Sequence, residues 1–163
     1  MRNSPSTQLI QTLQELFSSQ RLAVLATQSN GQPYGSLVAF AASGDLRHLV
    51  FATTRATRKF ANLSGEPKVA MVMDNRTNRE ADFHEAIATT ATGIVKEVEG
   101  SEKEEFLKLY LSKHPYLKEF ATSPTCALLR LDVDTYYVVS QFQEVMELHI
   151  RDELDNSPPS NQR

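Results

Sequence analysis

A segment between Thr53 and Lys59 concentrates side chains of the types that bind phosphate. Three hydroxyl groups and three cations fall within its seven residues: Thr53, Thr54, Thr57, Arg55, Arg58 and Lys59. An apolar stretch, 49–52, precedes the segment, and Phe60 and Leu63 follow it at helical spacing. A helix N-terminus offers free N–H groups, hydroxyls donate to phosphate oxygens, and Arg and Lys add full charges. The pattern predicts a phosphate site, with a turn carrying solvated cations as the alternative.

The first part of the chain predicts a helix and then a meander that leads into this segment. Pro5 suits the first turn of a helix, and strands are predicted at 21–27, 34–42 and 48–53. Asn-Gly at 30–31 is a strong hairpin signal between the first two strands. The apolar face of the helix consists of Leu9, Ile10, Leu13, Leu16 and Phe17.

The rest of the chain adds short strands with helices between them. Thr57 suits the cap of a helix to Leu63, and Gly65 suits its C-terminal cap. The near-continuous apolarity of 68–73 predicts a strand buried on both faces, followed by a polar loop at 74–82. We expect further strands at 86–98, at 126–132 and 136–139 with a turn at 132–134, and at 143–150. Gly93 marks either a bulge or a close approach of another backbone. A capping box at 101–104 opens a helix that ends at 114–115, and 116–121 adds one more helical turn.

This order of elements predicts one mainly β domain over residues 1–150. Six or seven short strands without a regular βαβ alternation indicate an antiparallel barrel with flanking helices. From 151 to 163 the composition becomes Asp, Asn, Ser, Pro and Gln, which predicts a disordered tail.

Composition excludes several classes of protein. The 163 residues carry a net charge of −3 with both signs interspersed, so no nucleic-acid partner is expected. Cys126 is the single cysteine, which excludes a disulfide framework. The four histidines, 48, 84, 114 and 149, are scattered, so no metal site is expected. The N-terminus is polar and no apolar run approaches the roughly 20 residues of a membrane span, so we expect a cytoplasmic protein without a membrane partner.

Five segments between residues 22 and 72 together form a pattern typical of a known family. They are the strand Leu22-Ala-Val-Leu-Ala-Thr27, the turn Asn30-Gly-Gln-Pro-Tyr34, the strand Val50-Phe-Ala-Thr53, the Thr57-Arg-Lys59 turn and the Gly65-Glu-Pro67 turn into Val69-Ala-Met-Val72. In this pattern the chain resembles the pyridoxamine 5′-phosphate oxidase-like superfamily of flavin-binding split barrels. The resemblance is strong over 21–73, and the strand order to about Leu148 fits more loosely.

The resemblance implies that the chain binds FMN at the interface of a homodimer. By that resemblance, the phosphate is held by Arg58, Lys59, Thr57 and either Thr53 or Thr54. The ribityl chain and flavin edge lie along the second strand, largely against backbone groups of Ser36, Leu37, Val38 and Ala39. The loop 74–79 either approaches the partner's flavin or is solvated.

The chain departs from the true pyridoxamine phosphate oxidase on the substrate side. Ala41 stands where that enzyme has Lys, the chain has no Trp, and 142–149 lacks the enzyme's Arg-x-His motif. That activity is therefore not predicted. The leading hypothesis is an FMN-dependent oxidoreductase on an unidentified small molecule. One alternative is a flavin-binding sensor, carrier or electron-transfer module without turnover. Another keeps the barrel but replaces FMN with another flavin-like ligand or with heme, for which His149 is the candidate ligand.

Overall fold

The structure, a computed structural model, describes residues 4–141 and 144–151. The strands of this part are β1 (Leu22–Ser29), β2 (Gln32–Ala42), β3 (His48–Thr54), β4 (Lys68–Asp74), β5 (Ile87–Glu97), β6 (Cys126–Ser140) and β7 (Glu144–His149). The helices are α1 (Pro5–Ser19), α2 (Arg58–Gly65), α3 (Asp82–Glu85), α4 (Glu102–Lys113) and α5 (Lys118–Thr122), with a 3-10 turn at Pro115–Leu117.

Six strands close into an antiparallel barrel, and β7 extends it. Neighbouring strands follow the order β3-β2-β1-β4-β5-β6-β7, and an additional pairing of β3 with β6 closes the barrel. Every pairing in this order is antiparallel. The predicted mainly β split barrel with flanking helices is confirmed.

β6 is one strand of 15 residues, so the prediction of two strands joined by a turn at 132–134 is wrong. Val133 is buried while Asp134 is exposed, because the polar–apolar–polar pattern is strand alternation. The first half of β6 pairs with β3 over 126–132, and the second half pairs with β7 over 135–140. The same strand therefore closes the barrel and carries its extension.

The interior of the barrel is filled by strand side chains and by the apolar face of α1. Ser4 caps α1 by accepting the N–H of Thr7 at 3.2 Å, and Pro5 occupies its first turn as predicted. Phe17 packs edge-on against Phe40 with ring centroids 5.7 Å apart. The buried set includes Leu9, Leu13, Leu16, Leu25, Phe51, Met71 and Tyr136.

A second cluster covers the outer face of β3 and the first half of β6. Phe106 and Tyr110 of α4 and Ala121 of α5 pack on an apolar patch that comprises Ala41, Val50, Ala52, Cys126 and Leu128. Cys126 is buried there, as expected of a small hydrophobe. His114, directly after α4, is fully buried, and its Nε2–H donates to the carbonyl oxygen of Phe40 at 2.8 Å. This bond joins the end of α4 to β2.

Three local expectations are wrong. β4 alternates between buried and half-buried residues instead of being buried on both faces, because one of its faces lies outside the barrel. Ser101 precedes α4 in helical conformation, so its side chain makes no capping hydrogen bond. Gly65 is the last residue of α2 and has no positive φ, and the chain leaves the helix through an extended Glu66.

Two backbone predictions are confirmed. Asn30 and Gly31 have φ of 50° and 78°, as a tight hairpin turn between β1 and β2 requires. The pairing of β5 with β6 shifts register between Thr92 and Gly93. A Cβ at Gly93 would lie 2.0 Å from the carbonyl oxygen of Asp132, so this bulge requires glycine.

The remaining predictions concern the C-terminal part. β7 confirms the predicted last strand over 144–149, whereas Ile150 lies beyond its end in helical conformation and Gln143 lies outside the described residues. The predicted tail at 151–163 also lies outside them, except for Arg151. In the described ranges, none of the helices has the length and apolar character needed to cross a membrane.

Candidate functional site

The barrel is split between β2 and β3, and the predicted site residues lie on both sides of the split. The two strands pair only over 40–42 and 49–51. If the register of Phe40 with Phe51 continued, Val38 would lie opposite Thr53 and Leu37 opposite Thr54, but the ladder stops. One edge of β2 therefore has no partner strand over 34–39 in the described structure.

The β2 side of the split presents alternating side chains. Val38 is buried in the core, whereas Leu37 points outward and is 67% exposed. Ala39 is half-buried on the same outward face as Leu37. The hydroxyl of Ser36 is buried and finds no hydrogen-bond partner among the described residues. This side thus offers a free strand edge and one unsatisfied polar atom.

On the other side of the split, two of the three threonine hydroxyls of the turn form hydrogen bonds within the turn itself. Thr53 is buried, and its Oγ1 lies 2.9 Å from Oγ1 of Thr57. The Thr57 hydroxyl donates to the carbonyl oxygen of Thr54 at 3.0 Å and accepts the N–H of Phe60 at 3.3 Å. The hydroxyl of Thr54 has no such partner within the described ranges. Of the three, it is the group best placed to donate to a ligand.

The first turn of α2 carries positive charge and unused N–H groups. Thr57 caps the helix as predicted, and in the described part of the chain the N–H groups of Arg58 and Lys59 have no partner. Neither side chain forms an ion pair there. The Arg58 guanidinium lies 5.7 Å from the ring centroid of Tyr34, which brings it to β2 across the split.

Arg55, the third cation of the segment, faces elsewhere. Its guanidinium donates to the carboxylate of Glu97 on β5. Its backbone N–H donates to the carbonyl oxygen of Thr125 at 3.0 Å. Arg55 therefore secures the turn to the barrel, and the charges left for a ligand are Arg58 and Lys59.

A bare apolar face borders the split. Val24 of β1 pairs with Leu37 of β2 on one side and Val72 of β4 on the other, all pointing away from the core. Leu22, also on this face, is 56% exposed. A hollow of about 820 Å³ lies over these residues, and its lining includes Arg21 and Lys113. We call this surface the bare face.

Sequence reasoning missed Tyr34 and Lys113. Tyr34 follows the Asn-Gly turn, and its ring packs under Arg58. The Lys113 ammonium donates to the carbonyl oxygen of Phe17 at 2.7 Å and lies 3.8 Å from the ring centroid of Phe40. Burial lowers the pKa of Lys113 to about 8. In the sequence Lys113 is simply one more cation at a helix end, so no local signal marks it.

The loop after β4 is held by its own acidic residue. The carboxylate of Asp82 accepts the N–H groups of Thr77, Asn78 and Arg79, the second at 2.7 Å. These hydrogen bonds lower the pKa of Asp82. The loop is therefore preorganised, and its approach to a partner's flavin stays a prediction.

His149, the candidate heme ligand, has both ring nitrogens engaged. Nδ1 lies 3.1 Å from the Thr135 hydroxyl, and Nε2 lies 3.0 Å from the carboxylate of Glu147. Among the described residues no group of three His, Cys, Asp or Glu side chains is placed to hold a metal ion.

A closed six-stranded antiparallel barrel with a split between β2 and β3 defines the class of split β-barrels. The sequence profile of the pyridoxamine 5′-phosphate oxidase family matches residues 9–140, so the chain belongs to this family. A search of curated protein sequences finds no match.

Solved structures share the architecture at low identity. A heme binding protein from Mycobacterium smegmatis superposes with a TM-score of 0.79 at 16% identity, over 93% of this chain and 60% of that one. General Stress Protein 26 from Bacillus anthracis superposes with a TM-score of 0.65 at 20% identity, over 87% of this chain and 98% of that one. A FAD-binding protein from Mesorhizobium loti superposes with a TM-score of 0.63 at 14% identity, over 78% of this chain and 91% of that one. The chain thus spans about three-fifths of the first of these, and such identities show the fold alone.

Proposed function

We propose that the chain binds FMN in the split between β2 and β3, as a homodimer. The proposal rests on two features that lie on opposite sides of the split. Arg58 and Lys59, with unused N–H groups and no ion pair in the described structure, lie on one side. The unsatisfied hydroxyl of Ser36 and a free strand edge lie on the other. A phosphate with nearly two negative charges suits the first side, and a polyhydroxyl chain suits the second.

In this proposal Arg58, Lys59 and the Thr54 hydroxyl bind the phosphate. Thr53 and Thr57 hold the turn in shape through their mutual hydrogen bond. Backbone groups of 36–39 accompany the ribityl chain and the flavin edge, and Ala39 leaves room for a flat ring. The second copy covers the bare face, where Leu22 and Leu37 are exposed, and so excludes water from the flavin.

We propose an oxidoreductase acting on a small molecule in the cytoplasm. Bound flavin would supply the electron-transfer chemistry. The residues of this chain bind and orient the cofactor and shield it from solvent. Membership of the family supports flavin binding, and the FAD-binding neighbour shares the fold. The single cysteine is buried, which suits a reducing compartment.

A flavin carrier without turnover is the second candidate. The observation that favours it is the composition of the proposed site, 36–39, 53–54 and 57–59, which contains hydroxyls, cations and apolar groups but no carboxylate, imidazole or thiol. Heme binding has less support in this chain, because His149 is bonded on both ring nitrogens.

The test is FMN titration of the purified protein, followed by fluorescence. Arg58→Ala combined with Lys59→Ala should weaken FMN binding by about a hundredfold or more, since charged hydrogen bonds contribute roughly 1.5–3 kcal/mol each. Lys103→Ala with Lys118→Ala is the matched control, because both lysines are exposed on other helices.

The outcomes separate the candidates. Equal FMN affinity in both double variants would place the phosphate elsewhere. Oxidation of NADPH or NADH by the FMN-loaded protein favours the oxidoreductase, and its absence with intact FMN binding favours the carrier.

A further inference from the structure

A second cleft lies away from the split, at the other end of β3. It has a volume of about 500 Å³ and reaches from the start of β3 and β4 to the bulge in β5 and the middle of β6. None of the nine residues predicted to bind FMN lines it. The cleft therefore belongs to a different part of the barrel from the proposed flavin site.

The walls of the cleft are apolar. Val69, Val133 and Ile150 are buried side chains that contribute to its lining. Ile94 stands at its edge with 43% of its surface exposed. The bulge at Gly93 brings β5 against the carbonyl of Asp132, where no side chain fits. These features give a concave surface that suits an apolar body.

The rim of the cleft carries an excess of positive charge. Four cationic side chains line it, Arg47, Lys68, Lys96 and Arg151, against two carboxylates, Asp132 and Asp134. The lining thus holds two more cations than carboxylates, although Asp45, at 3.9 Å from Arg47, compensates part of this excess. On a chain with a net charge of −3, this local balance favours an anionic ligand at the cleft.

The carboxylate of Asp132 is already paired with two cations, Arg130 Nε at 3.1 Å and Lys96 Nζ at 3.5 Å, which reduces its negative potential. His48 Nδ1 lies 2.8 Å from the same carboxylate. Lys68, which pairs with Ile94 from β4, forms no ion pair with any described residue. Its ammonium is thus available to a ligand.

We propose that this cleft binds a small organic anion, separately from the flavin. The apolar body packs on Val69, Ile94 and Ile150, and the anionic group lies at the rim between Lys68 and Lys96. A volume of about 500 Å³ falls within the range of small-molecule sites, roughly 300–1,000 Å³, and admits a body of one or two rings.

The test uses matched probes on the full-length protein, with and without added FMN. The probes are 2-naphthoate, 1-naphthyl phosphate and neutral 2-naphthalenemethanol, titrated by calorimetry and by amide chemical shifts in NMR. We expect both anions to bind at least tenfold more tightly than the neutral probe and to shift the amides of Gly93, Ile94 and Lys96. The comparison of carboxylate with phosphate shows which anionic group the rim prefers.

Two variants decide the assignment. Lys68→Ala with Lys96→Ala should weaken binding of the preferred anion at least tenfold, whereas Lys103→Ala with Lys118→Ala should not. Equal binding of the neutral probe, shifts confined to the bare face, or an unchanged affinity in the first variant would each overturn the proposal. Arg58→Ala with Lys59→Ala affects only FMN binding, so failure of the flavin proposal and failure of this one are distinguishable.

Discussion

The barrel has two apolar outer faces, and helices of the described ranges 4–141 and 144–151 cover one of them. On the face formed by β3 and the first half of β6, Val50, Ala52 and Leu128 lie under Phe106 and Tyr110 of α4. We call it the covered face. The bare face, formed by β1, β2 and β4, presents similar aliphatic side chains to solvent, with Leu37 67% exposed.

β2 crosses from one face to the other. Ala41 and Leu37 point to the same outer side of this strand, yet Ala41 is 2% exposed under α4 and Leu37 is 67% exposed. The pairing of β2 with β3 stops between these two positions, at Phe40. In the described structure, the split therefore begins where the cover by α4 ends. In the proposed dimer, the cofactor site would lie at this border, between the face packed under α4 and the face left to a second copy.

The largest expected effect is the difference in stability between two Leu→Ala substitutions, one on each face. Leu128→Ala removes a side chain that is 1% exposed and leaves a cavity under α4, so it should lower the free energy of unfolding by about 3 kcal/mol. Leu37→Ala should change it by less than about 0.5 kcal/mol in the monomer. Urea denaturation at low protein concentration measures both. Equal losses would show that the bare face is also packed within one chain.

The second prediction tests the proposed partner of the bare face. Leu22→Glu places a charge where the second copy would bury an apolar side chain, so it should weaken dimerisation by about a hundredfold. Sedimentation equilibrium measures the association constant, and urea denaturation checks that the monomer still folds. Tyr116→Glu is the matched control, because Tyr116 is a similarly exposed apolar residue beside α4. If the two variants associate equally, the bare face is not the dimer contact.

Local sequence signals predicted the parts of the fold that are local in the chain. The Asn-Gly turn at 30–31 and the alternation of β1 specify the first hairpin without distant contacts. Closure of the barrel depends on β3 pairing with β6, for example His48 with Asp132, and no periodicity within either segment reveals such a distant partner. The continuity of β6 through 132–134 was missed for the same reason, since its two partner strands decide it.

The same limit applies to the candidate site. The residue types at 53–59 indicate an anion site, and the cap at Thr57 is a local hydrogen bond that the sequence predicts. The residues near the turn do not show which of its three cations are already paired within the protein. Arg55 donates to the carboxylate of Glu97, which lies 42 residues away in the chain, whereas Arg58 packs over the ring of Tyr34. Only the tertiary structure shows which charges remain for a ligand.

The smallest expected effect concerns Lys113, which lies at the border of the two faces. Its pKa of about 8 in the folded chain lies below the value of 10.5 for a free lysine, because burial disfavours the ammonium. Between these values the unfolded chain binds the additional proton, so stability should rise as pH rises from 8 to 10. Part of the side chain still contacts solvent in the bare-face hollow, so we expect a gain of about 1–2 kcal/mol.

Urea denaturation at pH 8, 9 and 10 measures this gain, and Lys113→Met is the variant that removes it while keeping the apolar stem. Two other buried groups oppose this gain, so it is measured as the difference between wild type and Lys113→Met. Burial raises the pKa of the Cys126 thiol above its ordinary value of 9.0, so the stability that this thiol contributes is lost as pH rises above about 9. Burial also raises the pKa of Tyr110 to about 12, and its contribution is lost only as pH rises above 10. An equal slope in wild type and Lys113→Met would assign the pH dependence to another group. The free energy of unfolding should depend more steeply on pH at high protein concentration, because a second copy on the bare face would desolvate Lys113 further. This result would support the bare face as the surface that a second copy covers.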